Sequence, residues 1–345
     1  MSSDLNIVVV GATGAVGMEF LHLLSSRKFS FRSLRLLASP RSAGKKLKCG
    51  DVEFTVEPLD ENSFRDADIA FFSAGGTISK KFAPIAAKSG CVVIDNSSAF
   101  RMDPRVPLVV PEINPEAALA HEGIIANPNC STIIALMPLW PLHRRNRIKR
   151  IIAATYQAAS GGGAAAMQEL LDATQAYLQG NDYKPRVLPH PYAFNLFSHN
   201  AAVDPVSLYN EEELKMMRET RKIFNDSEIR ISATCVRVPV LRAHCEALNV
   251  EFSEAISPSD VRRYLEGRPG IRLVDDPQHN YFPMPREASG QDDVLVGRIR
   301  QDISDPSNRS IAMFVSGDQL LKGAALNGIQ IAELLVKNGL GAAAA

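Results

Sequence analysis

Leu5 to Val10 (L-N-I-V-V-V) runs straight into Gly11-Ala12-Thr13-Gly14-Ala15-Val16-Gly17, and Met18 to Leu24 follows at helical period. A short β-branched apolar run predicts a strand buried inside a parallel sheet. Glycines spaced three apart directly after it predict a tight turn that admits a dinucleotide pyrophosphate to a helix N-terminus. The spacing is G-x-x-G-x-x-G and not G-x-G-x-x-G, so the flanking strand and helix carry the reading. The other reading is a tight strand-to-helix turn without a ligand.

A second strand is predicted at Leu34–Ala38, where a site for the ribose 2′-hydroxyl would end in Asp or Glu. Ser39-Pro40-Arg41-Ser42 stands there instead. Two hydroxyls and a cation suit a 2′-phosphate, so Ser39, Arg41 and Ser42 point to NADP rather than NAD. The alternative for Arg41 is an ordinary solvated loop residue. Strands at 54–56, 69–72, 92–94 and 123–126 continue the alternation, with Ser73-Ala74-Gly75-Gly76 as a second close approach of backbone and a helix from Lys81 to Lys88. Asp95 to Arg101 and Val110 to Asn114 are polar turns, the first at the edge where doubly wound sheets bind ligands.

Asn127-Pro128-Asn129-Cys130-Ser131-Thr132 then precedes the apolar run Ile133 to Met137. This grammar places Cys130 at the start of a helix, where free N–H groups and the positive dipole end favour a thiolate and can hold an oxyanion. A small buried hydrophobe is the competing reading of any intracellular cysteine.

The second half has an α+β texture. Strands are predicted at 151–157, 229–238, 247–252, 271–274, 293–303 and 311–315, with antiparallel character. Helices are predicted from Ala164 to Gln179, from Asn210 to Phe224, from the Ser257 cap to Leu265, and from Gly317 to a stop at Asn338-Gly339. The loop from Gly180 to Val206 reads as a covering or interface segment with Tyr183, Tyr192 and Phe194 as anchors.

Lys plus Arg balances Asp plus Glu at 38 each, which leaves no overall field for nucleic acid or a membrane surface. The basic run His143 to Arg150 lacks aromatic interleaving and reads as a solvated connection. The five cysteines are odd in number and widely spaced, with no C-x-x-C pair, so neither a disulfide framework nor a structural metal site is expected. A reducing compartment fits, and neither a signal-peptide pattern nor a membrane-length apolar run occurs in these 345 residues.

Taken together, Gly11–Gly17, Ser73–Gly76, Asp95–Arg101, Val110–Asn114, Asn127–Thr132, Tyr156–Gly161 and Gly317–Ala325 resemble aspartate-β-semialdehyde dehydrogenases, closest to the bacterial and plant-type branch. Tyr192 to Asn200 is a run shared by plant-type members. The resemblance implies a Rossmann-like dinucleotide-binding domain over residues 1–130, completed by a C-terminal helix at 316–345, and an inserted α+β catalytic and dimerisation domain over 131–315. It also implies a homodimer or homotetramer in the cytoplasm, or in the plastid stroma for a plant source.

Residue by residue, the same resemblance implies that Cys130 is the nucleophile, His244 the acid–base residue and Gln157 the group orienting the intermediate. Arg237 would clamp the substrate α-carboxylate and Glu219 its α-ammonium. Arg101, Lys222 and Asn129 would hold phosphate. Gly11, Thr13, Gly14, Ala15, Val16, Ser160, Gly161 and Gln319 would join Ser39, Arg41 and Ser42 around NADP. Glu219 and Lys222 are three apart and share a helix face. Arg237 and His244 are seven apart, on opposite faces of any regular strand, so the chain must bend between them near Pro239. The implied reaction is reductive dephosphorylation of L-aspartyl 4-phosphate by NADPH through a cysteine thioester. The nearest competitor is an N-acetyl-γ-glutamyl-phosphate reductase, whose neutral acetylated amine would give Glu219 no cation; a non-catalytic paralogue is a further alternative.

Overall fold

The computed structural model describes residues 5–340 and divides into two compact units: the chain up to Asn129 together with the segment from Ala324, and Cys130–Gly323. In the first, β1 (Asn6–Val10), β2 (Ser33–Ala38), β3 (Lys46–Cys49), β4 (Val52–Pro58), β5 (Ile69–Phe72), β6 (Val92–Asp95) and β7 (Ile124–Ala126) form one sheet in the order β3-β4-β2-β1-β5-β6-β7. All neighbours are parallel except the β3–β4 hairpin. Every residue of β1 and β5 is buried, as their unbroken apolar runs require. Strand order reverses between β1 and β5, the place where such sheets bind ligands beyond their carboxyl ends.

The helices α1 (Ala15–Ser26), α2 (Gly76–Lys88) and α3 (Pro115–Ala118) connect these strands. Gly11 lies at φ 83° directly after β1, and a side chain there would meet the Ser73 carbonyl group at 2.8 Å. A Cβ on Gly17 would lie 2.3 Å from the Gly11 carbonyl oxygen. These two glycines are therefore required by close backbone packing, Gly11 also by its backbone angle. The C-terminal segment completes this unit. Asn327 donates to the Val109 carbonyl (2.9 Å) and to the Asn127 side chain (2.6 Å), and Arg27 pairs with Glu333 at 2.8 Å.

In the second unit, α4 (Cys130–His143) is followed by β8 (Ile148–Gln157), α5 (Ala164–Leu178), β9 (Phe197–Ser198), α6 (Glu211–Phe224), β10 (Arg230–Arg237), β11 (His244–Phe252), α7 (Pro258–Leu265), β12 (Ile271–Leu273), α8 (Pro285–Ala288), β13 (Val294–Gln301) and β14 (Ser310–Gly317). The sheet order is β12-β13-β14-β11-β8-β10-β9. It is mixed rather than wholly antiparallel, because β10 runs parallel to β8 and β12 parallel to β13. The long connection through α5 and α6 is the crossover that a parallel β8–β10 pair needs. α6 opens on a capping box in which Asn210 and Glu213 exchange hydrogen bonds of 2.8 and 3.0 Å.

Two boundaries differ from the sequence expectation. Cys130 belongs to the second unit, as the first residue of α4. Residues 316–323 also stay there, since Ser316 and Gly317 pair with Cys245 and His244 across β14–β11. The expected C-terminal helix therefore starts later, as a π turn at Leu321–Ala325 followed by an α-helix at Leu326–Lys337, and 341–345 lie outside the described residues. Among the described residues no helix is long and apolar enough to cross a membrane.

Gly17→Ala tests the glycine packing by sign. Ala inside an unconstrained helix stabilises by about 1 kcal/mol relative to Gly. Here the added Cβ drives into the Gly11 carbonyl, so the variant should unfold at lower urea concentration than wild type; an equal or higher midpoint would contradict the close approach.

Candidate active site

A cleft of about 420 Å³ opens in the first unit, lined by Val10, Gly11, Thr13, Gly14, Ala38, Ser39, Pro40, Leu59, Ser73, Ala74, Ile78 and Phe82. The glycine turn and the ends of β1, β2 and β5 shape it. No side chain caps the α1 N-terminus, whose first turn begins with Ala15 and Val16. That arrangement suits a phosphate held by backbone N–H groups, with the apolar wall from Leu59, Ile78 and Phe82 for a flat ring. The residues present fit a dinucleotide. Of the three expected to read a 2′-phosphate, Ser39 lines the cleft, Arg41 is exposed on the 3-10 turn Pro40–Ser42, and Ser42 is buried.

Asn127, before the cysteine, is fixed by its side-chain amide, which donates to Asn96 at 2.6 Å and to the Ala324 carbonyl at 3.1 Å. Arg101 is buried and donates to the backbone carbonyls of Asn127 and Asn96, each at 2.9 Å. Asn129 is buried at the end of the same turn.

Cys130 begins α4, a helix apolar on every side that packs against α6, α7 and the second sheet. Gly323 lies so close that a Cβ on it would be 2.8 Å from the Cys130 Cβ. Cys130 is half-buried, while Cys49, Cys91, Cys235 and Cys245 are buried. Burial raises all four of those thiols, Cys91 to about 12 and Cys245 to about 11. Cys245, the rival thiol, donates to the Ser316 hydroxyl at 3.3 Å.

Three functional side chains meet at one end of the second sheet. Gln157 ends the central strand β8, and Arg237 and His244 stand on β10 and β11 to either side of it. The demanded bend exists: β10 stops at Arg237, the chain turns through Pro239, and Ala243 adopts φ 72° before β11 starts at His244. The Ala243 N–H donates to Gln319 Oε1 at 2.9 Å, and the Gln319 amide also donates to the Ser160 hydroxyl. Gln319 and Ser160 thus brace the turn that aims His244.

Gln157 is buried and donates to the Ser131 hydroxyl at 2.9 Å and to Glu212 Oε1 at 3.3 Å. Arg237 is also buried. It donates to Asn200 Oδ1 (3.2 Å), to the Ala158 carbonyl (3.3 Å) and to His199 Nε2 (2.8 Å). His244 Nδ1 accepts from the Ala158 N–H at 3.0 Å, and its Nε2 is buried without a partner among the described residues. Burial first, then Arg237, pushes its pKa down to about 3. A Cβ on Gly161 would lie 2.9 Å from both His244 Nε2 and Arg237 Nη1. Only glycine leaves these two donors open.

The acidic and basic pair expected at Glu219 and Lys222 requires a correction. Glu212, at the start of α6, is the carboxylate beside Gln157, and Lys215 pairs with it at 3.5 Å. Glu219 and Lys222 lie seven residues further along α6, about two turns or ~10 Å down the axis. Glu212 and Lys215 also act electrostatically on His199. The signal was present, since each pair has the same i,i+3 spacing, but spacing alone does not say which turn meets the sheet end. His199, Asn200 and Ser131 join the site as residues that the sequence did not mark individually.

The semialdehyde dehydrogenase NAD-binding domain matches residues 6–121, and the semialdehyde dehydrogenase dimerisation domain matches residues 139–322. An aspartate-semialdehyde dehydrogenase from Synechocystis is 54% identical over 98% of this chain and 99% of its own. The crystal structure of aspartate semialdehyde dehydrogenase II from Vibrio cholerae complexed with ASA is 44% identical, superimposes with a TM-score of 0.93 and covers 98% of this chain and 100% of that one. The enzyme from Candida albicans solved with NADP is 26% identical at a TM-score of 0.74, over 97% and 99% of the two chains. The chain belongs to the aspartate-semialdehyde dehydrogenase family.

Proposed function

We propose that this protein reduces L-aspartyl 4-phosphate to L-aspartate 4-semialdehyde with NADPH, releasing phosphate, as a step of amino-acid biosynthesis. The carrying observation is the sheet end at which Gln157 reaches Ser131, the residue after Cys130, with Arg237 and His244 on the strands to either side. The relatives named above support the aspartate substrate, and the N-acetyl-γ-glutamyl-phosphate reductase reading is not favoured.

Cys130, at a helix N-terminus, attacks the acyl carbon as thiolate; the bond to phosphate breaks and a thioester forms. Gln157 orients that acyl group from β8. Arg237 takes the α-carboxylate. Among the described residues its hydrogen-bonding partners, Asn200, Ala158 and His199, are all neutral, so a buried cation is held in place without a bonded carboxylate of its own. Glu212 takes the α-ammonium, in place of Glu219, and Lys215 replaces Lys222 in the phosphate site assigned with Arg101 and Asn129. The dinucleotide, when bound, supplies the hydride. Its pyrophosphate is assigned to Gly11, Thr13, Gly14 and the first turn of α1 at Ala15 and Val16, and its 2′-phosphate to Ser39, Arg41 and Ser42. Ser160, Gly161 and Gln319 remain assigned to the cofactor.

A homodimer is proposed on the dimerisation-domain match, with Leu171, Tyr177 and Leu178 exposed on α5 as part of the surface a second copy would cover. The five free cysteines support a reducing compartment such as the cytoplasm.

Cys130→Ala should abolish turnover while nucleotide binding, followed by fluorescence, survives. Mass spectrometry of wild type trapped with substrate should show the acyl group on Cys130, and an adduct on Cys245 would refute the assignment.

The α6 correction has its own test. Glu212→Gln should raise KM for the free-amine semialdehyde, whereas Glu219→Gln should leave KM near wild type. Arg237→Lys keeps the charge but loses the two-pronged grip, and a misplacement of about 1 Å can cost on the order of 100-fold in rate. Swapped effects of the two glutamates would return the site to Glu219.

Acid should weaken the fold through His199. Burial first, then Arg237, lowers its pKa from 6.5 to about 4. The unfolded chain takes up this proton below pH 6.5 while the folded chain waits until about 4, so stability is complete above 6.5 and falls between the two. His199→Gln should flatten that fall in urea midpoints; an unchanged pH dependence would count against it.

A further inference from the structure

We propose that His199 is a second ligand for the substrate α-carboxylate and changes tautomer on binding it: Nε2 accepts from Arg237 in the free enzyme and donates to the carboxylate in the complex. This rests on the proposed function, in which Arg237 takes that carboxylate, and adds the residue that holds the other side of the same anion.

Strand pairing sets up the contact. β9 runs antiparallel to β10, with Phe197 opposite Arg237 and Ser198 opposite Val236, and the His199 N–H continues the ladder to the Cys235 carbonyl at 2.9 Å. His199 therefore stands opposite Cys235, on the sheet face that Arg237 also uses, at the diagonal distance that a long side chain spans. Its Nε2 meets Arg237 Nη2 at 2.8 Å, and its Nδ1 meets the Ala201 N–H at 3.2 Å. A guanidinium and a backbone amide can only donate. A neutral imidazole has one acceptor nitrogen and one N–H, so it satisfies one of these neighbours and opposes the other.

No other form of the ring escapes this conflict. A second proton would set N–H groups against both donors, and burial first, then Arg237, hold the pKa down at about 4. Of the charges on α6, Glu212 opposes that shift and Lys215 reinforces it. Turning the ring over would put C–H groups where both nitrogens stand and leave Arg237 Nη2 facing carbon. The contact with the cation is the shorter and the stronger of the two. In the free enzyme Nε2 therefore keeps its lone pair and the ring proton sits on Nδ1, facing the Ala201 N–H. The grip on Arg237 is held against a standing repulsion at Ala201.

A carboxylate removes the conflict. One of its oxygens takes Arg237 Nη2, while Asn200 keeps Nε and the Ala158 carbonyl keeps Nη1. Released from Arg237, the ring gives its Nδ1 proton to solvent and takes one on Nε2, with no net change in charge. Nε2–H then donates to the second carboxylate oxygen, Nδ1 accepts from Ala201, and every donor has an acceptor. An α-amide offers one acceptor oxygen and an opposing NH2 group, so it cannot take both donors. His199 thus holds the place of the anion before binding and reads its second oxygen afterwards, which selects a free α-carboxylate.

The experiment is a long-range 1H–15N NMR spectrum of wild type labelled with 15N-histidine, the His199 signals being identified by their loss in His199→Gln. Spectra are taken at about pH 7.5, where the ring is neutral, with NADP alone and then with the semialdehyde added without phosphate, so that the acyl group stays on the enzyme. The expected result is a protonated Nδ1 with NADP alone and a protonated Nε2 in the acyl-enzyme. A proton on Nε2 in the first spectrum, or the same tautomer in both, overturns the proposal. Kinetics supply a second arm. Loss of a hydrogen bond to a charged group costs about tenfold or more in binding, so His199→Ala should raise KM for the semialdehyde by that factor with a smaller effect on kcat. Gln carries both an acceptor and an N–H donor, so His199→Gln should stay within about threefold of wild type. His199→Asp should raise KM beyond Ala, because its carboxylate stays on Arg237. Ala equal to wild type, or Asp better than Ala, overturns it. Wild type that forms no acyl adduct would instead remove the proposed function, and the spectrum with NADP alone would still decide the free tautomer.

Discussion

The buried guanidinium of Arg237 is the constraint around which the second unit arranges its chemistry. A cation nine-tenths out of water must be held by acceptors, and here they are an amide oxygen, a backbone carbonyl and a neutral imidazole. Each fixes the charge in position without neutralising it. Its field then reaches its neighbours, adding to burial in lowering the pKa of both His199 and His244. A carboxylate hydrogen-bonded to Arg237 would have stabilised the protein more simply. Its absence from this bonding set leaves an unspent demand for an anion at the sheet end, and that demand is a binding property.

The polar groups stand together because of strand order. β10 and β11 are consecutive in the chain yet lie on opposite sides of β8, so the short connection through Pro239 must cross the end of the central strand. That crossing puts Arg237 and His244 in one place and places their joining loop against Ala159 and Ser160, whose N–H groups it satisfies. Ala243 accepts a left-handed backbone, at a cost of order 1–2 kcal/mol for a non-glycine residue, and Gln319 holds it there. Strain of this kind persists where the surroundings over-determine it, and here they do so beside the imidazole.

Much of this was legible in the residues. The buried strand, the glycine turn and the cysteine at a helix start have local physical signatures, and each forms where its pattern predicts. The limits were long-range. Nothing local in Arg230–Arg237 says whether it pairs parallel or antiparallel with Ile148–Gln157, since both orientations ask for the same β-rich residues. The β3–β4 hairpin was missed as a pair because Lys46–Cys49 is polar and short, the character of an edge strand.

The misplacement along α6 shows why spacing is weaker evidence than packing. Glu212 with Lys215 and Glu219 with Lys222 are equivalent as helix-surface pairs, and both glutamates are buried. Burial therefore does not separate them either. Gln157 on β8 reaches Glu212, and Glu213, the next residue, is engaged by the capping box and by the Cys235 N–H at 3.0 Å. The first turn of α6 is thus pinned from its own N-cap and from β10 at once. A helix pinned at its start delivers its first turn to the site and carries the later ones away from it, so the residues that bear on catalysis are those nearest the cap.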